Sequence, residues 1–408
     1  MNKNIIIPIL FVLCPISSLI AQQLSFTAED HLQKDSASFL SNTTIGGYGD
    51  IVYQRNFNEK FSHVDLERFV LFTGHKFSKK ISFFSELEVE DAKVSGGEEG
   101  GEIALEQCYL KFNLDPNNYL VAGLFLPRIG ILNENHLPNT FNGNERTQVE
   151  TYILPSTWRE LGIGYYGHSN RLPLSYSLAL VNGLNSASFE HGSAIREGRF
   201  EGRNASANNL ALAGSVQLYA GNLRTQIAGY YGGSVGLSAG EADSLHLTSG
   251  MFGTPVMIGE ADLQYEAKGF SVRVLGSIIS VPDASNINRA YANNTPQTAY
   301  GFYAEIAYNV FESMKQKGEK QMILFVRYEK LDMNAKTPSN GITDGTLNQQ
   351  HIVAGISYLP IKNVAIKADV RFLHTGDQNP DLIVNPDPAA LPNKMNNTFL
   401  NLGIGFSF

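Results

Sequence analysis

The chain has 408 residues, 43% of them hydrophobic, and a formal charge of -8; the acidic balance argues against a nucleic-acid partner. Past Ala21 no stretch approaches the roughly 18 to 20 continuous apolar residues of a transmembrane helix, which excludes a helical membrane protein but not a β-barrel, whose lumen side dilutes the apolar signal. Cys14 and Cys108 are the two cysteines, too few for a disulfide framework.

Lys3 precedes an apolar run over 5–20, then Ala21 and a polar stretch opening Gln22-Gln23. That order predicts a secretory signal peptide over 1–21, and hence export, although Leu19 departs from the small residue expected near the cleavage point. Apolar residues continue past Cys14, which argues against a lipid anchor there. Residues 22–44 are polar and lack a strand pattern, so they are expected to form a periplasmic extension or short plug, with the barrel over 45–408.

Alternating apolar and polar residues then recur to the end of the chain. The predicted strands are 45–54, 64–76, 81–94, 102–113, 119–129, 159–167, 172–181 and 210–220, followed by 223–232, 256–267, 270–280, 299–311, 321–333, 350–359, 364–374 and 396–408. Tight connections of turn-forming residue types separate alternate pairs: Phe77-Ser78-Lys79-Lys80, Asp115-Pro116-Asn117-Asn118, Ser169-Asn170-Arg171, Gly221-Asn222, Lys268-Gly269, the lysine-rich 315–320 and Lys362-Asn363. The other connections are long. A β-sandwich has no reason to sort its loops by length and side, whereas an outer-membrane barrel has short periplasmic turns and long extracellular loops. The pattern predicts an all-β, antiparallel transmembrane barrel of about 16 strands in the cell outer membrane, with 18 Tyr and 24 Phe available for its interfacial girdles.

Period-two sorting assigns a lumen face. Glu86, Glu88 and Glu90 oppose Ile81, Phe83, Leu87 and Val89; Glu260, Asp262, Gln264 and Glu266 oppose Leu263 and Tyr265. Arg273, Glu305, Arg327, Glu329, Lys367, Asp369 and Arg371 follow the same logic, since charge facing lipid costs a few kcal/mol near the midplane. The inferred lumen is mixed in sign with a mild acidic excess, the kind of lining that sets ion selectivity.

The connection 130–158, about 28 residues, is far longer than usual and carries Ile131, Leu132, Leu137, Phe141, Ile153 and Leu154. Such a loop is expected to fold into the lumen, with a lid over the barrel mouth or a subunit contact as the alternative. Arg128, Glu134, His136, Glu145, Arg146, Glu150, Arg159 and Glu160 become candidate constriction charges, or else ion pairs that pin the loop to the wall.

The scattered histidines, the lack of a Gly-x-Ser-x-Gly elbow and the lack of His-Glu-x-x-His or paired-cysteine spacing offer no catalytic or metal motif. The loop Gly96-Gly97-Glu98-Glu99-Gly100-Gly101 reads as a flexible acidic loop. No cofactor is expected.

Tyr109-Leu110-Lys111-Phe112, the stretch Ala122-Gly123-Leu124-Phe125-Leu126-Pro127-Arg128-Ile129-Gly130, the long loop, and Pro155-Ser156-Thr157-Trp158-Arg159-Glu160-Leu161-Gly162 resemble the phosphate-selective porin O and P family. The resemblance implies a sixteen-stranded, homotrimeric, passive channel whose third loop folds inward. Leu124 and Leu126 stand where that family is often basic, so no phosphate-binding residue is carried over. The expected function is passive diffusion of small hydrophilic solutes or ions, with an anion-selective channel, a structural anchor or a substrate-specific uptake channel as alternatives. Membrane lipid, solutes and sister subunits are the expected partners.

Overall fold

A computed structural model describes residues 42–91, 101–314, 319–382 and 393–408. The expected signal peptide over 1–21, the 22–44 segment up to residue 41, the glycine-rich 96–100 and most of the lysine-rich turn lie outside the described residues.

Sixteen strands form one closed antiparallel sheet. They are β1 (Thr43–Asn56), β2 (Phe61–Lys76), β3 (Ile81–Glu90), β4 (Ile103–Asn113), β5 (Asn118–Phe125), β6 (Glu160–His168), β7 (Leu174–Asn182), β8 (Leu210–Ala220), β9 (Leu223–Gly232), β10 (Val256–Ala267), β11 (Phe270–Ser280), β12 (Thr298–Asn309), β13 (Gln321–Lys336), β14 (Asn348–Ile361), β15 (Val364–Thr375) and β16 (Asn396–Ser407). Each strand pairs with its neighbours in sequence, and β1 pairs with β16. At that seam the amide of Phe408 donates to the carbonyl of Gly47 at 2.8 Å and the reciprocal bond is 3.0 Å. A Cβ at Gly47 would lie 2.4 Å from the Val70 carbonyl, so only glycine fits.

Pleating sends successive side chains to opposite faces. Ile163, Leu178, Ile227, Ile278, Ile306, Leu324, Ile356, Ile366 and Ile404 are exposed on the outside, while Glu260 of β10, Glu305 of β12, Arg327 of β13 and Lys367 and Asp369 of β15 are buried within. Phe77, Tyr265, Phe270 and Phe408 ring the short-turn end of this apolar belt; Phe61, Tyr231, Phe302 and Phe372 lie towards the other. With no water in hydrocarbon to satisfy a free edge, closure is what lets a sheet cross a bilayer.

Strand ends differ from the sequence reading where a local interaction outweighs alternation. β3 stops at Glu90 rather than 94, and β5 at Phe125 rather than 129, where Pro127 and Gly130 (φ 78°) turn the chain inward. β1 begins at Thr43, and β1 and β2 leave only 57–60 between them, where the Asn56 side chain accepts from the amides of Asn58 and Glu59. The first connection at the long-loop end is therefore short. β12 ends at Asn309, which caps a one-turn helix (Val310–Ser313) instead of continuing to 311.

Candidate functional site in the lumen

The third loop, 126–159, runs through the barrel. Ile129, Ile131, Val149, Ile153, Leu154 and Trp158 are nearly inaccessible and pack with inward residues of β6 to β13 and with the loops 183–209, 233–255 and 281–297. A loop with that much apolar side chain is more stable inside the barrel than in water. Its own helix, α1 (Gln148–Tyr152), is capped by Thr147.

Glu150 holds the loop in shape. One carboxylate oxygen accepts from the amides of Ile131 (2.6 Å) and Leu132 (2.7 Å), and the other accepts from the Tyr303 hydroxyl at 2.8 Å. Burial pushes this carboxyl up despite those bonds. A Cβ at Gly130 would lie 2.8 Å from the same carboxylate, which, with its positive φ, accounts for glycine there. Glu150 is thus placed inside the loop's fold and not on an open surface.

One wall grips the loop backbone. Lys367 donates to the carbonyls of Phe141 (2.9 Å) and Gly143 (2.8 Å); Arg327 donates to Asn142 (3.2 Å) and Glu145 (3.4 Å); Arg273 donates to Thr140 at 3.1 Å. Asp369 accepts from the Asn144 amide at 2.8 Å, and Glu329 from that of Val149 at 3.2 Å. Register sets Glu305 opposite Arg327, and Arg327 bridges Glu305 (3.3 Å) and Glu329 (2.8 Å). Glu145 pairs with Arg371 at 2.7 Å and accepts from Gln54 and Asn401. On the neighbouring wall Glu134 pairs with Arg128 (2.5 Å) and Arg224 (2.8 Å), and Gln226 bonds both Glu260 and the Gly130 carbonyl. Burial alone would raise the Glu134 carboxyl, but the two arginines outweigh it and hold it below its usual value.

The opposite wall is acidic. Glu86, Glu88 and Glu106 project inward with Tyr48 and Asp50; Arg68 lies 3.3 Å from Asp50 and 3.9 Å from Glu88, and Arg159 is also 3.9 Å from Glu88. Glu106 comes from a β-bulge: Glu86 pairs with Gln107 and Leu87 with Leu105, so Glu106 is the extra residue and two consecutive side chains turn inward. Burial lowers the His136 imidazole and the Arg146 guanidinium that face this wall.

Three candidates stand apart. Glu90 is exposed at the end of β3, and Glu266, also exposed, sits at the short-turn end of β10, 3.9 Å from Arg273. Glu160, read as a constriction charge, is fully buried against Trp158, accepting from its indole (2.8 Å) and from the Asn182 amide (2.5 Å). Sequence reasoning missed Asp50, Arg68, Glu106, Tyr303 and Arg224, and also Arg196 and Arg199, which donate to carbonyls of Ser156 (3.2 Å) and of Pro155 and Thr157 (2.9 and 3.1 Å).

Below the loop, at the short-turn end, the lumen holds a cavity of about 500 Å³ lined by Tyr48, Phe72, Phe84, Tyr109, Tyr119 and Tyr166 with Glu86, Arg128 and His136. A second, of about 430 Å³, adjoins it along β10 to β15. Solvent also reaches the polar side of the loop, where Glu145 and Glu201 keep 24% and 28% of their side-chain surface.

The chain is 32% identical over 339 residues to an uncharacterized protein of Aquifex aeolicus (strain VF5), covering 80% of this chain and 74% of that one. No family model matches. Among solved structures, the anion-selective porin from Comamonas acidovorans superposes with a TM-score of 0.52 at 12% identity over 90% of this chain and 99% of its own. OmpF of Salmonella typhi, in complex with daunomycin, gives 0.52 at 13% over 90% and 97%, and the outer-membrane channel DcaP of Acinetobacter baumannii gives 0.52 at 12% over the same shares. The fold is that of outer-membrane porins.

Proposed function

We propose, from the premise that this chain belongs to one family with the Aquifex aeolicus protein and has a porin's barrel, that it is a passive outer-membrane pore for small hydrophilic solutes or ions. The observation that carries the reading is the asymmetry of the lumen. At the long-loop end of β6 to β13 the interior is filled by apolar side chains, whereas along β14 to β16 and β1 to β4 it is lined by ion pairs, Arg371 with Glu145 and Arg68 with Asp50, of which Glu145 keeps a quarter of its surface open. Solutes pass on that polar side, between the third loop and the acidic wall, and leave through the aromatic cavity at the short-turn end. Glu145, Glu201, Asp50 and Glu88 against Arg371, Arg68 and Arg159 make the passage mixed in sign, with a mild preference for cations.

Conductance of the refolded protein across a planar bilayer, with the reversal potential in a salt gradient, tests this. Discrete open steps with mild cation preference are expected. Strong anion preference blocked by phosphate would instead give the chain the specialised function of the phosphate-selective porins, a reading supported by the resemblance over 109–112, 122–130 and 155–162. A barrel that never conducts is an anchor, and the pore reading falls. The same resemblance adds a homotrimer, to be checked by native mass spectrometry of the detergent-solubilised protein.

A further inference from the structure

His136 hangs from the third loop against the acidic wall with its Nε2 facing two carboxylates, 4.0 Å from Glu86 Oε2 and 3.9 Å from Glu106 Oε2. Those separations are too long for hydrogen bonds. The imidazole is only 5% exposed, and Nε2 has no hydrogen-bond partner; one oxygen of Glu106, itself fully buried, has none either. The remaining neighbours compensate the cluster only in part. Gln107 donates to Glu86 at 2.6 Å and Tyr48 to Glu106 at 3.0 Å, while among the described residues no lysine or arginine comes within ion-pair distance of Glu86. Arg68, Arg146 and Arg159 act on the Glu88 and Glu106 side of the wall.

Two buried carboxylates and an unpartnered imidazole nitrogen aimed at them form a donor set with, among the described residues, no lysine or arginine in ion-pair contact with either carboxylate. The three donor atoms lie within 4.8 Å of one another. Ligands at 2.0 to 2.1 Å from a tetrahedral ion are about 3.3 Å apart, so each donor needs to move inward by less than about an ångström. Glu86 and His136 line the cavity of about 500 Å³, which provides the entry route and room for a water as fourth ligand. Mixed nitrogen and carboxylate donors suit a borderline divalent ion better than calcium or magnesium, which take oxygen alone.

We propose that Glu86, Glu106 and His136 bind a divalent transition-metal cation of the zinc class, which clips the third loop to the β3–β4 wall. The bulge in β4 is the backbone device that presents Glu106 beside Glu86. Because the site needs only a folded barrel, metal binding in detergent tests it independently of whether the pore conducts.

The experiment is calorimetric titration of the chelator-treated, refolded full-length protein with zinc chloride, with bound metal per chain counted after gel filtration. One saturable site is expected, weakened at least tenfold in both His136→Gln and Glu86→Gln and unchanged in Glu90→Gln, whose carboxylate is exposed at the strand end. Equal affinity in the wild type and both lumen variants, or no saturable site, overturns the proposal. Should the variants fail to refold, cobalt(II) bound to the wild-type protein decides. Visible d–d bands of a site with nitrogen and oxygen ligands support the clip, and the spectrum of the hexaaqua ion overturns it.

Discussion

The two walls that face the third loop use the same residue types to different ends. On β11 to β16, the inward basic residues Arg273, Arg327 and Lys367 each reach a loop carbonyl and Arg371 reaches the loop's Glu145 carboxylate, while Glu329 and Asp369 each take a loop amide. On β3 and β4, Glu86, Glu88 and Glu106 take no loop amide among the described residues, and one oxygen each of Glu88 and Glu106 has no hydrogen-bond partner. Charge inside a barrel is therefore no guide to selectivity until its partners are known. On one wall it is mortar, and on the other it is available to a visitor.

The sharpest way to break this contrast is Arg327→Ala. It strands Glu305 and Glu329 without their cation and frees two loop carbonyls, and breaking such a buried pair costs about 3–5 kcal/mol. Urea unfolding of the refolded barrel measures it, and single-channel conductance should rise as the loop loosens. Lys367→Met, which leaves the carbonyls of Phe141 and Gly143 unpaired, should cost about 2 kcal/mol in the same assay.

Glu134→Gln weakens the ties to Arg128 and Arg224 by about 1 kcal/mol at neutral pH. Because that carboxyl is held below its ordinary value of about 4.3, its contribution is present above that pH and is lost as pH falls through the depressed folded value. The difference between wild type and variant should therefore close on acidification; a gap that persists at low pH would remove the ion pairs from the account. At the other extreme, Glu86→Gln in metal-free protein removes a carboxylate with no cationic partner and should change stability by less than about 1 kcal/mol, in either direction. A loss as large as that of Arg327→Ala would erase the distinction between the walls.

Much of the scaffold was legible. The strands 210–220, 223–232, 256–267 and 270–280 begin and end where alternation and the glycine-bearing turns put them, because two-residue hairpins leave no freedom of register. The inward course of the third loop followed from its apolar side chains, and Ile131, Leu132, Phe141, Ile153 and Leu154 are indeed buried. Glu106 was not legible, since period two breaks at a bulge and Glu106-Gln107 reads as one residue in and one out. Arg196 and Arg199 lay equally out of reach: they touch the third loop across some 40 residues of chain, a pairing that no local pattern encodes.

The bond between Gly47 and Phe408 also governs the order of events in the protein's making. The sheet has no complete set of neighbours until its last strand meets its first, so until then the polypeptide carries unpaired edges and an uncovered apolar belt. Closure is the most non-local contact in the molecule, and such contacts form late. The chain therefore depends on being kept from its own kind until the barrel closes, and a nascent barrel that loses its final strand would aggregate rather than close as a smaller one.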